Sequence, residues 1–129
     1  RTGARAWIGA ADAAILTGAV PATTPLRQVT SRIARAELPG NLRLLDGDAE
    51  LWPGLSALHT PGHTPGHHSF RAGRVLFAGD TAVLAKGRLE SPPALLMTSP
   101  GQALADLARL RTLDVDWYCC GHSDPGTRR

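Results

Sequence analysis

Histidines are the most informative feature of the chain. Four of the five lie within ten residues, at His59, His63, His67 and His68, and the fifth is His122. One Thr-Pro-Gly triplet precedes His63 and a second separates it from His67. Proline fixes φ and glycine permits conformations that other residues avoid, so we expect a stiff, irregular loop here. A stiff loop can hold an imidazole in one place, as a metal site requires.

Two later segments carry side chains of related chemistry. Residues 77–81 read Phe-Ala-Gly-Asp-Thr and contain Asp80, and residues 120–125 read Cys-Gly-His-Ser-Asp-Pro and contain His122. Two imidazole nitrogens and a carboxylate suit Zn²⁺, with iron and manganese as alternatives. Each residue also has a plainer interpretation, His63 as a histidine that stiffens its loop, and Asp80 and His122 as turn residues.

Together the three segments resemble the metallo-β-lactamase-fold hydrolase superfamily, which includes glyoxalase II-like thioesterases. His63 matches the histidine of its T-P-G-H-T element, Asp80 the aspartate of its G-D-T element, and His122 the histidine of its late G-H element. The resemblance implies an α/β fold, a partial αββα sandwich with helices on the outer face of a mixed sheet. It also implies that His63 binds a first metal ion, that His122 binds a second, and that Asp80 bridges both.

The family's H-x-H-x-D-H element, which supplies its other metal ligands, does not occur in the chain. We therefore expect residues 1–129 to be a single partial domain, the C-terminal portion of a longer parent. The chain alone is expected to bind metal weakly and to be inactive, with no catalytic side chain of its own. The full-length parent is expected to hold one or two zinc ions.

The function that the resemblance implies for the parent is metal-dependent hydrolysis of a small ester, thioester or lactone. In that reaction metal-bound water attacks the substrate. Two alternatives remain open. A non-catalytic remnant or binding module would keep the scaffold without the metals, and an iron-dependent thiol or persulfide oxygenase would use a similar ligand set on the same scaffold.

Composition and charge indicate which kinds of binding partner and which cellular location to expect. A chain of 129 residues, 43% hydrophobic and 19% charged, is typical of one globular domain or part of one. The net charge of +3 comes from Lys86 and thirteen scattered arginines, unlike the clustered basic surface typical of nucleic-acid binding. No apolar run approaches the roughly 20 residues of a membrane helix, and we expect Cys119 and Cys120 to be reduced thiols. We expect a cytoplasmic protein that binds a small molecule and self-associates through an exposed sheet edge.

Predicted strands place the three candidate ligands just beyond strand ends. The strands are predicted over residues 42–45, 50–52, 54–59, 68–71, 74–78 and 115–119, with a short one at Trp7. Helices are predicted over residues 10–16, over residues 26–38, and from Ser99 onward, where Ser99 and Gln102 would form a capping box. Residues 46–48 are predicted as a hairpin turn and residues 83–93 as a loop.

The remaining histidines and carboxylates are weaker candidates for a metal or catalytic site. His67 is expected to support the ligands or the loop, His68 to belong to a strand, and His59 to point along the strand before the loop. A separate zinc site of His59, His63 and His67 is a minor alternative. Asp46 and Asp48 resemble a carboxylate pair, but a turn explains them better.

Overall fold

The structure, a computed structural model, describes residues 3–22 and 38–127. The helix predicted over residues 26–38 therefore lies outside the described residues, apart from its last position. The strands are β1 Ala6–Gly9, β2 Leu42–Leu45, β3 Ala49–Trp52, β4 Leu55–His59, β5 His68–Ala72, β6 Val75–Gly79, β7 Val83–Ala85, β8 Arg88–Glu90, β9 Trp117–Cys120 and β10 Ser123–Thr127. The helices are α1 Ala10–Leu16 and α2 Pro100–Arg111, with a 3₁₀ turn at Ala94–Leu96.

The largest element is a six-stranded mixed sheet in the order β10-β9-β6-β5-β4-β3. Neighbouring strands run antiparallel except β6 and β9, which run parallel. Two smaller sheets accompany it, a parallel pair of β1 and β2 and an antiparallel hairpin of β7 and β8. The predicted α/β class with a mixed sheet is confirmed.

The core lies between this sheet and α2. In β6, Leu76 and Ala78 are fully buried, whereas Phe77 between them is 45% exposed, because alternate side chains of a strand point to opposite faces. On α2, Leu107 and Leu110 stand three residues apart on one side of the helix and belong to the same buried cluster. The helix therefore covers one face of the sheet, as the sequence predicted.

Local predictions succeeded where hydrophobic periodicity and turn chemistry agree. The helix predicted over residues 10–16 and the strand over residues 42–45 are confirmed residue for residue. The predicted hairpin that follows the histidine loop is confirmed as β5 and β6, with Gly73 at a φ of 57° in its turn. The capping box at the start of α2 does not form, because the Ser99 side chain makes no capping hydrogen bond and Gln102 donates its amide to Asp106 instead.

The loop predicted over residues 83–93 is wrong, because β7 and β8 form a hairpin there. Its turn residues Lys86 and Gly87 have φ values of 51° and 78°, and two positive φ values are what a type I′ turn requires. Lys-Gly lacks the Asn-Gly or Asp-Gly signal by which such turns are recognised in a sequence. Residues 123–127 also form a strand, β10, and Pro125 fits there because β10 is an edge strand with an irregular register.

The hairpin turn predicted at residues 46–48 is also wrong. β2 pairs with β1 and β3 pairs with β4, so this turn joins two different sheets. Asp48 accepts the backbone N–H of His59 at 2.8 Å and forms an ion pair with Arg109. The hydrogen bond from Arg109 holds the pKa of the Asp48 carboxyl below its usual range. Asp48 is therefore a structural residue that ties the start of β3 to the end of β4.

Two further expectations concern thiols and membranes. Cys119 and Cys120 are not joined by a disulfide, as expected for neighbours in a strand. Across residues 3–22 and 38–127, no helix has the length and apolar character that a membrane span requires.

Candidate metal centre

The structure brings His63, Asp80 and His122 together at one edge of the six-stranded sheet. His63 lies in the loop between β4 and β5, Asp80 follows β6, and His122 follows β9. β6 and β9 are parallel neighbours, so their carboxyl ends meet at the same edge. The Nε2 atom of His63 lies 3.4 Å from Oδ2 of Asp80, and Nε2 of His122 lies 3.4 Å from Oδ1.

These separations fit donors that share a cation. Two bonds of about 2.1 Å that meet at a tetrahedral angle hold their donor atoms about 3.4 Å apart. Each histidine faces a different oxygen of the Asp80 carboxylate. Among residues 3–22 and 38–127, no group of three or more His, Cys, Asp or Glu side chains is placed so that it could hold a metal ion.

The two histidines differ in burial. The side chain of His63 is 16% exposed, that of Asp80 is 36% exposed, and that of His122 is 77% exposed. The loop around His63 is closed on itself, since Thr60 N–H donates to the His67 carbonyl at 2.9 Å. It is also joined to the start of α2, where Thr98 N–H donates to the His63 carbonyl at 3.1 Å.

His67 supports Asp80 and does not belong to the donor set. The backbone N–H of Asp80 donates to Nε2 of His67 at 3.2 Å, so this nitrogen is an acceptor. The hydrogen of the neutral ring therefore lies on Nδ1, which is 2.8 Å from the hydroxyl of Thr60 and 3.1 Å from that of Thr81. Burial, with a smaller effect of His63, lowers the pKa of the His67 imidazole to about 4. His67 thus stays neutral near pH 7 and holds the start of the Asp80 turn.

The other two histidines face backbone carbonyls. Nε2 of His59 lies 3.0 Å from the Pro65 carbonyl. Both ring nitrogens of His68 are within hydrogen-bonding distance of carbonyl oxygens, those of Gly66 at 2.9 Å and Gly47 at 3.0 Å. The minor alternative of a zinc site formed by His59, His63 and His67 is therefore not supported.

Two glycines explain why the ligand motifs read Gly-Asp and Gly-His. A Cβ atom on Gly79 would lie 2.7 Å from Nε2 of His67, and the φ of Gly79 is 56°. A Cβ atom on Gly121 would lie 2.1 Å from Oδ1 of Asp80. Any larger residue at either position would push a neighbour out of place. The glycines are thus part of the geometry that lets the carboxylate approach both histidines.

Two contacts of the histidine loop were missed from the sequence. Asp12 on α1 and Asp106 on α2 both accept hydrogen bonds from the loop. The available signal was Asp106 itself, a carboxylate within the apolar face of α2. Nothing in the local pattern around Asp12 distinguishes it from an ordinary acidic residue in the first turn of a helix.

The sequence of the chain is similar to those of known proteins. A family model described as the metallo-beta-lactamase superfamily matches residues 1–122. The chain is 37% identical to an N-acyl homoserine lactonase of Bacillus sp over 76 residues, which are 55% of this chain and 30% of the lactonase. It is 42% identical to a hydroxyacylglutathione hydrolase of Aeromonas hydrophila subsp. hydrophila over 79 residues, which are 57% of this chain and 29% of the hydrolase.

Solved structures share the fold over nearly the whole chain. The di-iron-bound form of TTHA1623 matches with a TM-score of 0.66 and 27% identity, over 98% of this chain and 61% of that one. An N-acyl homoserine lactone hydrolase with N-hexanoyl-L-homoserine bound at its catalytic metal centre matches with a TM-score of 0.61 and 25% identity, over 91% of this chain and 46% of that one. The matched regions thus cover less than two thirds of each of these relatives.

Proposed function

Because the chain belongs to the metallo-beta-lactamase superfamily, we propose that it forms part of a metal-dependent hydrolase of a small ester, thioester or lactone. The observation that carries the proposal is the Asp80 carboxylate, which faces His63 with one oxygen and His122 with the other, each at 3.4 Å. The similar proteins named as a lactonase and a hydroxyacylglutathione hydrolase support a hydrolytic reaction on a small molecule.

In this proposal His63 would hold a first ion and His122 a second, and the Asp80 carboxylate would contribute to both. Bound divalent ions supply Lewis-acid activation of water and of the substrate carbonyl. The chain's own residues hold the donors in place, His67 by accepting the Asp80 N–H and Gly121 by leaving room for the carboxylate. Zinc is the proposed metal, with manganese as an alternative and iron as the alternative that the di-iron form of TTHA1623 supports.

The donors that the described residues bring together suffice for only half of such a centre. A catalytic zinc site uses three protein ligands and water, whereas each ion here would have one imidazole and a share of one carboxylate. We therefore propose that the chain is one part of a larger domain, that it binds metal weakly alone, and that it does not hydrolyse substrate alone. The matched regions, at 29–30% of the curated relatives' length, support this.

Zn²⁺ titration of the metal-free chain against a chromophoric chelator tests the site. We expect weak binding by the native chain and at least a tenfold lower affinity for Asp80→Ala, because both proposed ions lose a ligand. The matched control is Asp114→Ala, which removes an exposed carboxylate that pairs with Arg74. Equal affinity in the Asp80→Ala and native chains would count against the proposed centre. One or two tightly held zinc ions per chain would contradict weak binding.

The two alternative functions predict different metal behaviour. A non-catalytic remnant or binding module predicts that Asp80→Ala leaves Zn²⁺ and Fe²⁺ affinity unchanged. An iron-dependent thiol or persulfide oxygenase predicts a preference for Fe²⁺ and oxygen consumption in the presence of a thiol. Fe²⁺ and Zn²⁺ affinities measured side by side under anaerobic conditions distinguish both from a zinc hydrolase.

Self-association and a cytoplasmic location remain part of the proposal. β3 and β10 end the six-stranded sheet, and Phe77 and Trp117 on the face away from α2 are 45% and 49% exposed. Unpaired edges and apolar faces of this kind favour association between copies. Size-exclusion chromatography at increasing concentration is expected to show growth in apparent mass, and a constant monomeric mass would contradict the expectation. We retain the prediction that nucleic acid is not a partner, because the arginines are scattered.

A further inference from the structure

The loop that carries His63 is tied to both helices by carboxylates that lie far from it in the sequence. Asp12, in the first turn of α1, accepts the hydroxyl of Thr64 at 2.6 Å and the N–H of Gly66 at 2.9 Å. Asp106, on α2, accepts the N–H of Gly62 at 2.8 Å. The bonded loop residues stand on both sides of His63 in the chain, so the backbone that carries the imidazole is held from two directions.

The burial of Asp106 is explained by this loop. Its exposure is 3%, and it lies on the side of α2 that buries Leu107 and Leu110. A buried carboxylate is unfavourable unless hydrogen bonds replace its hydration, and an apolar residue would pack on this face without that cost. Its two partners are the amide of Gln102, one turn earlier on the same helix, and Gly62 in the loop. The loop contact is therefore the one that connects Asp106 to another part of the fold.

Two glycines show how closely the loop approaches the helices. A Cβ atom on Gly62 would lie 2.3 Å from Cα of Ala103, and one on Gly66 would lie 2.4 Å from the backbone nitrogen of Asp12. The loop backbone therefore packs directly on the helix backbones, with no flexible side chain between them. A small displacement of either helix would be passed to the loop rather than absorbed.

We propose that Asp12 and Asp106 are positioning residues for His63, which hold the loop so that the imidazole faces Asp80 in the orientation that binds a divalent cation. The proposal rests on the proposed function, because it assigns a purpose to the geometry of the metal centre. Neither carboxylate is one of the proposed metal donors. Both act through backbone N–H groups and one hydroxyl of the histidine loop, and both would be needed because each holds a different side.

The proposal predicts a difference between removing the carboxylate and replacing it with an amide. Asp12→Ala and Asp106→Ala remove the acceptors, whereas Asp12→Asn and Asp106→Asn keep one acceptor oxygen for the loop N–H. Loss of a group that orients a metal ligand typically lowers metal affinity by about 10–100-fold. We expect each alanine variant to lower Zn²⁺ affinity at least about tenfold, and each asparagine variant to stay within about threefold of the native chain.

A second variant tests the same contact from the side of the loop. Thr64→Val removes the hydroxyl that donates to Asp12 while conserving the volume and branching of the side chain, and it leaves both helices unchanged. We expect it to reproduce part of the Asp12→Ala effect, and the double variant to show less than the product of the two effects because they share one contact. Independent effects would contradict a shared contact. This test remains available if Asp106→Ala does not fold.

The experiment is nuclear magnetic resonance of the ¹⁵N-labelled chain with and without Zn²⁺, with melting temperatures measured in parallel. Faster amide exchange at Gly62 and Gly66, averaged ring signals of His63 and weaker Zn²⁺ binding in the alanine variants support the proposal. The control Asp116→Ala removes an exposed partner of Arg74 and is expected to change none of these. The proposal is overturned if the alanine variants lower the melting temperature but leave Zn²⁺ affinity and the His63 ring signals within twofold of the native chain.

The outcome separates this proposal from the proposed function. If the native chain binds no Zn²⁺, the proposed metal centre fails, and the His63 ring signals alone then decide the positioning role. Unchanged ring signals in Asp12→Ala and Asp106→Ala would overturn it in that case. If Zn²⁺ binds and Asp80→Ala abolishes binding while Asp12→Ala and Asp106→Ala do not weaken it, the centre stands and the positioning role fails.

Discussion

The two histidines that face Asp80 stand in very different surroundings. His63 is 16% exposed and lies in a loop that is bonded to both helices, whereas His122 is 77% exposed and lies between β9 and the edge strand β10. Both nevertheless lie 3.4 Å from the same carboxylate. One half of the candidate centre is thus built into the packed fold, and the other half extends from its edge.

The two histidines therefore differ in how far the fold restricts their side chains before a cation binds. On the His63 side, the surrounding structure has already restricted the side chain, so binding a cation there costs little further conformational entropy. On the His122 side, an exposed side chain would have to be ordered if the proposed cation binds. The comparison therefore predicts that changes around His63 affect stability and binding together, whereas changes at His122 affect binding alone.

The largest effect is expected where the His63 loop meets α2. Gly62→Ala places a Cβ atom 2.3 Å from Cα of Ala103, so the loop and the helix must separate. We expect a loss of about 3 kcal/mol in the free energy of unfolding, the upper end for overpacked cores, measured by urea denaturation. The matched control is Gly101→Ala on the same helix, where a Cβ would meet nothing within 4 Å and stability should rise slightly. Equal effects of the two substitutions would remove the basis for a tightly packed loop.

Acid is expected to weaken the His63 side through His67. The pKa of this imidazole is lowered from 6.5 to about 4, chiefly by burial. Neutral His67 therefore stabilises the fold fully above pH 6.5, and the contribution is lost as the pH falls towards 4, up to about 3 kcal/mol. Denaturant titrations of the metal-free chain between pH 7 and pH 4 measure the loss.

His67→Gln is the control for this pH dependence. Glutamine can still accept the Asp80 N–H but does not titrate, so the fall in stability between pH 6.5 and 4 should flatten. The pKa values of Asp48 and Asp116 are lowered from 3.8, so these carboxyls contribute mainly below pH 4 and affect only the acidic end of this window, from about pH 5. If His67→Gln shows the same fall as the native chain, His67 does not cause it.

Zn²⁺ affinity should distinguish the two histidines directly. We expect His63→Ala to lower affinity by about 30-fold, near 2 kcal/mol and at least as much as the loss of a residue that positions it, and His122→Ala by about threefold, because only the first removes a pre-oriented ligand. His122→Ala should leave the melting temperature unchanged, since its side chain is 77% exposed. Chelator competition measures the Zn²⁺ affinity of both variants, and thermal melts measure their stability. A larger loss of affinity in His122→Ala than in His63→Ala would show that His63 is not the better oriented ligand.

The smallest effect is expected at Arg109, which joins α2 to the strand that leads into the loop. Its guanidinium pairs with Asp48 and donates to the His59 carbonyl at 3.3 Å. Both charged side chains are more than a third exposed, so Arg109→Met should cost only about 0.5 kcal/mol, less at high salt. Urea denaturation at 0.05 and 1 M NaCl measures it. A loss above 2 kcal/mol would show that this ion pair contributes as much as the backbone packing.

Sequence by itself predicted the residues of the candidate centre and the elements that carry them. Asp80 was placed after a buried strand because residues 75–77 are apolar and a Gly-Asp pair follows, and β6 ends at Gly79 as this requires. Ala72 and Gly73 between two apolar segments likewise predict the hairpin that β5 and β6 form. These features depend on periodicity and turn chemistry, which act within a few residues and are visible in the sequence.

Only the tertiary structure decided what surrounds the centre. Asp12 and Asp106 contact the loop across 54 and 44 positions of the chain. Asp106 stands out on the apolar face of α2, but the sequence does not show which backbone group it meets, and nothing local distinguishes Asp12. The unequal burial of His63 and His122 likewise depends on the order of the strands, in which β10, directly after His122, is the outermost strand of the sheet. Hydrogen bonds and burial between distant residues are set by the path of the whole chain, so no short-range pattern in the sequence contains them.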